Sequence, residues 1–359
     1  MNSKERVIRA INHREVDRVP FFYLGTTVIN RKLSEKLGFS ENAKKSVFAI
    51  NDYEQLLQYL NIDVRFISPR LCQIPNEQRQ GFQGGGVHAK LYKEKGHEKL
   101  VITKLPLEDA TTVDEILNYD KWPDPDWYDY RIPENLLESY HDKAIVAYDM
   151  GIIFLYAMGM RGIENIMIDM ALNPDIAHAI FKKIAQFNLE RTRRFLEANQ
   201  GLIDIVGIGD DVAGQDGILF SIEMWRHFLR PYIADMVQLC NEYGVIPYFH
   251  GCGGFRGLFP DFIYMRIQCV GRLQTEARGN NFVEIKQEFG DKLCLWGGID
   301  GQHIMIEGST EQVQEHVSNL LRVGSVGSGY IAGPTHSFTE DTPLENILLV
   351  CRMLNAGSV

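Results

Sequence analysis

Eight short apolar runs alternate with longer helical patterns along this chain, and this alternation constrains its fold more than any other feature. Each run spans five or six residues, and amphipathic segments such as 174–197 and 310–323 separate most of the runs. Short strands that alternate with helices are typical of parallel βαβ units. The runs are 19–23, 64–68, 144–148, 203–208, 245–250, 270–274, 293–297 and 329–333.

A doubly wound open sheet and a (β/α)8 TIM barrel both fit this alternation. Eight strands spread over 359 residues favour the barrel with insertions. The glycine groups at 84–86 and 251–254 do not form the G-x-G-x-x-G pattern that opens a dinucleotide-binding helix. We therefore predict an α/β fold with a single barrel domain over residues 1–359. It has a helical extension at 1–18 and an inserted β-hairpin at about 84–104.

Charge and composition exclude several classes of partner. The chain has 37 Lys and Arg against 47 Asp and Glu, a net charge of −10, and no long basic block. Nucleic acid and anionic membrane surfaces are therefore not expected as partners. The longest apolar run, 151–160, is about half the length of a membrane-spanning helix. The first residues carry no apolar signal region, and the six cysteines are scattered, so we expect a cytoplasmic protein.

Titratable and metal-binding residue types follow most of the apolar runs. In a parallel barrel, the active site lies at the carboxyl ends of the strands. The residues that follow the runs are therefore the candidates for chemistry. They are Asp149, Asp210, Asp211, His250, Cys252, Glu276, Asp300 and His336.

The sharpest of these features is the segment YFHGCGG at 248–254. His250 and Cys252 are separated by one residue in a glycine-rich turn, and imidazole and thiolate are both zinc ligands. The pair alone is equally compatible with a packed histidine beside a small buried thiol. A zinc site needs a third ligand, for which His336 is the first candidate. Its competitors are Glu276, Cys294, Asp211 and Asp149.

The remaining candidates have weaker signals. Asp211 and Asp210 could orient a zinc-bound imidazole or accept a proton, or could cap the following turn. Glu276 could be a ligand or a base, so we count all three among the catalytic candidates.

Candidate substrate contacts come from two regions of the sequence. Phe22 and Tyr23 could form the wall of an aromatic substrate pocket, although core packing explains them equally well. Asp149 at a strand end is a third candidate for substrate binding.

Five segments of the chain carry a family resemblance: SKERVIRAINHREVDRVP (3–20), GDDVAGQDGILFS (209–221), MWRHFLRPYI (224–233), FGDKLCLWGGID (289–300) and GYIAGPTHSFTEDTPLENI (329–347). In order and spacing they resemble the uroporphyrinogen decarboxylase superfamily. This resemblance covers most of the chain and implies a (β/α)8 barrel.

The resemblance implies one of two chemistries. Members that decarboxylate porphyrinogens carry an arginine pair after the R-x-P element, whereas FFYLGTTVINRKL at 21–33 is aromatic and lacks it. The other branch moves methyl groups to or from a corrinoid with the help of zinc, and its H-x-C pair maps onto His250 and Cys252. Its third zinc ligand is a cysteine, where this chain has His336. His336 is therefore either the third ligand or a substrate contact, and in the second case Glu276 or Cys294 completes the site.

The expected function is thus a zinc-dependent methyltransferase. It would move a methyl group between a small donor, such as an aryl methyl ether or methanol, or a thiol, and the corrinoid of a partner protein. The chain has no D-x-H-x-x-G corrinoid signature, so the corrinoid-binding protein must be separate. A homodimer is one option, because large enzyme barrels often pair. The alternatives are a metal-free lyase acting on a carboxylated substrate and a barrel that only binds a corrinoid or tetrapyrrole.

Overall fold

The computed structural model describes residues 1–39, 53–73, 88–94 and 97–356. Short 3-10 helices lie at Pro125–Trp127 and Arg256–Leu258. The strands are β1 Val64–Ile67, β2 Arg70–Leu71, β3 His88–Glu94, β4 His97–Lys104, β5 Tyr128–Asp129, β6 Ala144–Ala147, β7 Ile205–Gly209, β8 Ala213–Gly214, β9 Gly217–Ile218, β10 Ile246–His250, β11 Cys269–Leu273, β12 Cys294–Ile299 and β13 Tyr330–Pro334. The helices are α1 Ser3–Ile11, α2 Thr27–Leu37, α3 Glu54–Tyr59, α4 Val113–Leu117, α5 Glu134–Tyr140, α6 Phe154–Arg161, α7 Ile163–Leu172, α8 Pro174–Ala198, α9 Ile222–Phe228, α10 Arg230–Glu242, α11 Phe259–Tyr264, α12 Phe282–Phe289, α13 Ile304–Glu307, α14 Thr310–Gly324 and α15 Leu344–Asn355.

Seven strands form one parallel sheet in the order β1-β6-β7-β10-β11-β12-β13. The segment around Phe21 joins its two edges. The Asp63 N–H donates to Phe21 O at 3.0 Å, and the Phe22 N–H donates to Ala332 O at 3.0 Å. The predicted α/β barrel is therefore confirmed, with seven of the eight predicted strands formed. The first, at 19–23, is reduced to a single bridge from Phe21 to Ala332, because Pro20 has no N–H for a ladder.

Helices surround this sheet and bury their apolar faces against it. α8 begins with Pro174 in its first turn, where the N–H that proline lacks would have no partner within the helix. The helix runs for 25 residues. α14 begins with a capping box between Ser309 and Gln312. No helix in the described part of the chain is long and apolar enough to cross a membrane.

Two smaller predicted features are also present. β3 pairs antiparallel with β4 and forms the hairpin predicted at about 84–104, of which residues 84–87 and 95–96 lie outside the described ranges. The predicted helical extension contains α1. Val7, Ala10 and Ile11 of α1 pack into the same buried cluster as the residues inside the barrel.

Aromatic side chains fill the interior of the barrel. Phe22 contacts Phe66 edge to face at 6.1 Å and Trp296 at 5.8 Å between ring centroids. Tyr248 stacks on Trp296 at 4.6 Å. Because this interior is packed, chemistry is confined to the layer above it.

The buried carboxylate of Asp63 connects α1, the closing segment and β1. Asp63 is 0% exposed and accepts hydrogen bonds from Arg6 Nη1 at 2.6 Å and Arg18 Nη1 at 2.7 Å. Its second oxygen also accepts the N–H of Phe21 at 2.9 Å. These bonds hold the shortened segment at 19–23 beside β1, although that segment has almost no strand pairing of its own.

Replacing Asp63 with Ala should therefore destabilise the whole fold. The change leaves two buried guanidinium groups without their shared partner, which typically costs about 3–5 kcal/mol. Chemical denaturation measures the loss. Asp129→Ala is the control, because it breaks an exposed ion pair with Arg70 and should cost at most about 1 kcal/mol. Equal losses in the two variants would contradict this role for Asp63.

Candidate active site at the mouth of the barrel

His250 is the last residue of β10 and lies above the aromatic interior. It is 4% exposed, and its ring stacks on Tyr148 at 5.5 Å with an angle of 12°. Gly209, at the end of the neighbouring β7, gives the imidazole its space, because a Cβ there would lie 2.1 Å from His250 Cε1. The glycine that begins the GDD motif therefore fixes the position of this histidine.

The imidazole of His250 is neutral and has a free nitrogen. Burial, followed by the charges of Arg272 and His336, lowers its pKa well below the usual value. Its Nε2 lies 3.7 Å from Asp149 Oδ1. Its Nδ1 is buried and has no hydrogen-bond partner among the residues that the structure describes. A buried nitrogen of this kind is available to a ligand or a proton.

Asp149 follows β6 and faces this histidine. Its backbone is left-handed, with φ of 55°. Burial raises the pKa of its carboxyl to about 6, while the charges of Arg272 and Arg191 act in the opposite direction. Its Oδ1 is buried without a hydrogen-bond partner in the described ranges. Asp149 can therefore hold a proton close to neutral pH.

Cys252 is half-buried beside Asp211. The Cys252 N–H donates to Asp211 Oδ1 at 3.1 Å. Burial, and then the charge of Asp211, raise the pKa of the thiol to about 12. The side chain is consequently a thiol rather than a thiolate at neutral pH. Asp211 contacts Cys252 directly, and its catalytic role stays a prediction.

Polar residues from the loop between β11 and α12 hold the GCGG turn. The Gly253 N–H donates to Gln274 Oε1 at 2.8 Å, and Asn280 Nδ2 donates to Gly253 O at 3.0 Å. Gly253 has φ of 78°, and a Cβ there would lie 2.3 Å from Gly214 O, so only glycine fits. Sequence reasoning missed Gln274 and Asn280, whose contacts span segments distant along the chain.

Arg272 is the functional candidate that sequence reasoning missed entirely. It is 9% exposed, and its Cζ lies 5.7 Å from the centroid of the Tyr148 ring. Its Nε is buried without a hydrogen-bond partner in the described part of the chain. The sequence feature that could have identified Arg272 is its position inside the apolar run VGRLQ, where a charged residue is unusual.

Asp210 caps a helix. Its carboxylate accepts the N–H groups of Ile153, Phe154 and Leu155 at 3.2, 2.6 and 2.9 Å, at the start of α6. Burial raises its pKa to about 7, although these N–H donors oppose the rise. Capping explains its position, and a catalytic role stays a prediction.

Glu276 forms a separate acidic pair with Asp300. Burial, together with the charge of Asp300, raises the pKa of Glu276 to about 7. Burial would also raise the pKa of Asp300, but N–H donation from His303 and Gln302 outweighs it and lowers that pKa. These N–H contacts, at 2.9 and 2.8 Å, show that Asp300 caps the turn that leads into α13. A catalytic role for Glu276 stays a prediction.

The other predicted residues occupy different environments. His336 follows β13 and is an exposed residue. Desolvation of the part of its ring that is covered, and then the charge of Arg272, lower the pKa of the imidazole. Cys294 is the first residue of β12 and pairs in register with Cys269 at the amino end of the barrel, away from the mouth. Phe22 is 0% exposed and Tyr23 is 4% exposed, and both make core contacts. Substrate binding by these two aromatic residues stays a prediction.

The predicted zinc ligands are not assembled around one point. Within the described residues, no three His, Cys, Asp or Glu side chains are grouped so that they could hold a metal ion. The charge of Arg272 also acts on both His250 and Cys252. The donor types suit zinc, but this arrangement does not fit a three-ligand zinc site.

A cavity of about 530 Å³ lies between α12 and α14. Its walls include Gly290 and Gly327, which precede β12 and β13. The cavity is therefore at the amino end of the barrel, away from the candidate site.

Comparison with known proteins gives the family. The family described as uroporphyrinogen decarboxylase (URO-D) matches residues 145–356, and this chain belongs to that family. A solved methyltransferase from Methanosarcina mazei is similar in structure, with a TM-score of 0.67 and 15% sequence identity over 99% of both chains. At this identity the likeness shows the barrel fold alone. No curated protein matches the chain in sequence.

Gly209→Ala should displace the His250 ring. The added methyl would overlap the imidazole, and overpacking of a buried site typically costs about 1–3 kcal/mol. Chemical denaturation should show this loss. Gly214→Ala is the control, because the nearest atom to its Cβ would be 3.9 Å away. An unchanged stability of Gly209→Ala would show that the ring can move without cost.

Asp211→Asn should make Cys252 more reactive. Removing the carboxylate lowers the thiol pKa, and each unit of lowering raises the thiolate fraction about tenfold at neutral pH. Alkylation of metal-free protein by iodoacetamide measures this rate, in a Cys72→Ser background because Cys72 is exposed. Asp216→Asn, an exposed change in the same loop, should leave the rate unaltered. Equal rates in both variants would remove Asp211 as the cause.

Proposed function

We propose that this protein is a methyltransferase that moves a methyl group between a small methyl donor or a thiol and the corrinoid of a partner protein. The observation that carries the proposal is the pair His250 and Cys252 at the mouth of a URO-D family barrel. The structural similarity to a methyltransferase over 99% of both chains supports it. We propose an aryl methyl ether or methanol as the methyl donor. The two types of enzyme that fit this proposal are an O-demethylase and a methylcobamide:thiol methyltransferase.

The residues at the mouth suit the proton balance of this reaction. Removing a methyl group from an ether leaves an alkoxide or phenolate, which takes up one proton. Asp149, with a pKa of about 6, and the neutral His250 lie 3.7 Å apart at this point. Burial raises the pKa of Asp149 to about 6 and lowers the pKa of His250 below its usual value, so Asp149 is the group that we propose as the proton donor.

Zinc and the corrinoid are the more specific parts of the proposal. Zinc held by His250 and Cys252, with His336 as the third ligand, stays the prediction that the resemblance implies. Because the described side chains do not assemble such a site, we derive no step through the metal. The corrinoid protein would dock at the carboxyl ends of the strands, where the pair lies. A homodimer and a cytoplasmic location remain predictions.

Methyl transfer with a corrinoid protein tests the proposal. His250→Ala and Cys252→Ala should each lower the rate by at least about 100-fold, because the active site loses one of its two central groups. His141→Ala and Cys72→Ala are the matched controls, since both residues are exposed. Zinc content should be measured on the same samples. Full activity in either site variant would reject the proposal.

A lyase acting on a carboxylated substrate without metal is the second candidate. The buried cation of Arg272 at the mouth of the barrel favours it, because a guanidinium binds a carboxylate. Carbon dioxide release from metal-free protein would support the lyase, whereas stoichiometric zinc that is needed for turnover would exclude it.

A further inference from the structure

We propose that Arg272 forms an anion subsite at the mouth of the barrel and binds a carboxylate group of the substrate. The identification of that substrate as the methyl donor rests on the proposed function. The subsite itself rests on the surroundings of Arg272.

The guanidinium group of Arg272 is buried without a partner of opposite charge. No carboxylate in the described part of the chain forms an ion pair or hydrogen bond with it, whereas the buried arginines Arg6, Arg18, Arg65 and Arg161 each pair with a carboxylate. Its Nε has no hydrogen bond. A buried cation is costly unless it is paired, so retaining one at a site suggests that a ligand supplies the charge.

The neighbouring side chains do not supply this negative charge. In the described ranges, neither the His250 ring nor the Cys252 side chain is hydrogen-bonded to Arg272 Nε. The charge of Asp149 acts on Arg272, yet the Oδ1 of Asp149 is itself without a hydrogen-bond partner among the described residues. Three buried polar atoms therefore lack partners around one region: Arg272 Nε, Asp149 Oδ1 and His250 Nδ1.

The backbone at Arg272 is strained. Its φ is 39°, in the left-handed region, and the pairing of β11 with β12 shifts register between Gly271 and Leu273. Left-handed backbone in a non-glycine residue is unfavourable, and strain and bulges of this kind concentrate at functional sites. This independent observation also identifies Arg272 as a binding residue.

The contacts of Arg272 place its ligand beside the candidate active site. The guanidinium lies over one ring, Tyr148, and the same ring stacks on His250. A substrate held by its carboxylate at Arg272 would therefore reach His250 with its far end. A planar guanidinium matches a carboxylate in a two-bond geometry. A phosphate dianion would meet more repulsion from Asp149 and Asp211.

Calorimetric titration of the full-length protein tests this inference. The probes are 4-methoxybenzoate, its neutral counterpart methoxybenzene, and inorganic phosphate. Arg272→Met should weaken 4-methoxybenzoate binding by about tenfold or more, as expected for losing a charged hydrogen bond. It should leave methoxybenzene binding unchanged. The matched control is Arg278→Met, which removes an exposed cation from the loop after β11 and should bind both compounds like the wild type.

Each contrary result is decisive. Unchanged binding of 4-methoxybenzoate to Arg272→Met, or an equal loss for methoxybenzene, would overturn the inference. So would phosphate binding as tight as that of 4-methoxybenzoate. Arg272→Met should melt no lower than the wild type, since it removes an unpaired buried charge. If it fails to fold, Arg272→Lys decides, because it keeps the charge but should bind the carboxylate more weakly without the planar fork.

The two proposals can fail separately. Charge-dependent binding without methyl transfer would remove the proposed function and leave the subsite. Methyl transfer that proceeds equally well from methoxybenzene and 4-methoxybenzoate would overturn the subsite and leave the function.

Discussion

The buried ion pairs of Asp63 with Arg6 and Arg18 hold the barrel closed. The parallel sheet has seven regular strands, and the segment at 19–23 that joins its edges pairs through an isolated bridge from Phe21 to Ala332. Asp63 accepts the backbone N–H of Phe21 in that segment while it binds both arginines. A closed barrel directs the ends of all its strands toward one mouth, so the geometry of the candidate site depends on this closure.

Above the aromatic interior, the mouth contains polar groups whose hydrogen bonds are incomplete. His250, Asp149 and Arg272 each have a buried atom without a partner in the described ranges. Elsewhere, Asp210 and Asp300 use their oxygens to cap helices. This contrast separates acidic residues that stabilise the fold from those that are available for chemistry, which the residue types alone do not distinguish.

Much of the fold was predictable because strand and helix periodicities are local properties of the chain. All eight strand positions were predicted, and the one that shortened contains Pro20, whose effect on a ladder is also local. The pair His250 and Cys252 was found for the same reason, since both residues lie in one turn. Gln274, Asn280 and Arg272 were missed, because their roles come from contacts with loops that are distant in sequence.

The sequence by itself determined the alternation of strands and helices, the barrel, and the residue types at the strand ends. Only the tertiary structure decided which of those residues meet. It placed Asp149 beside His250, and it left Cys294 at the opposite end of its strand. It also left Arg272 without a counter-charge in the described part of the chain. The reason is physical: burial and distance set the charge state and reach of a side chain, and both arise only when separate strands pack together.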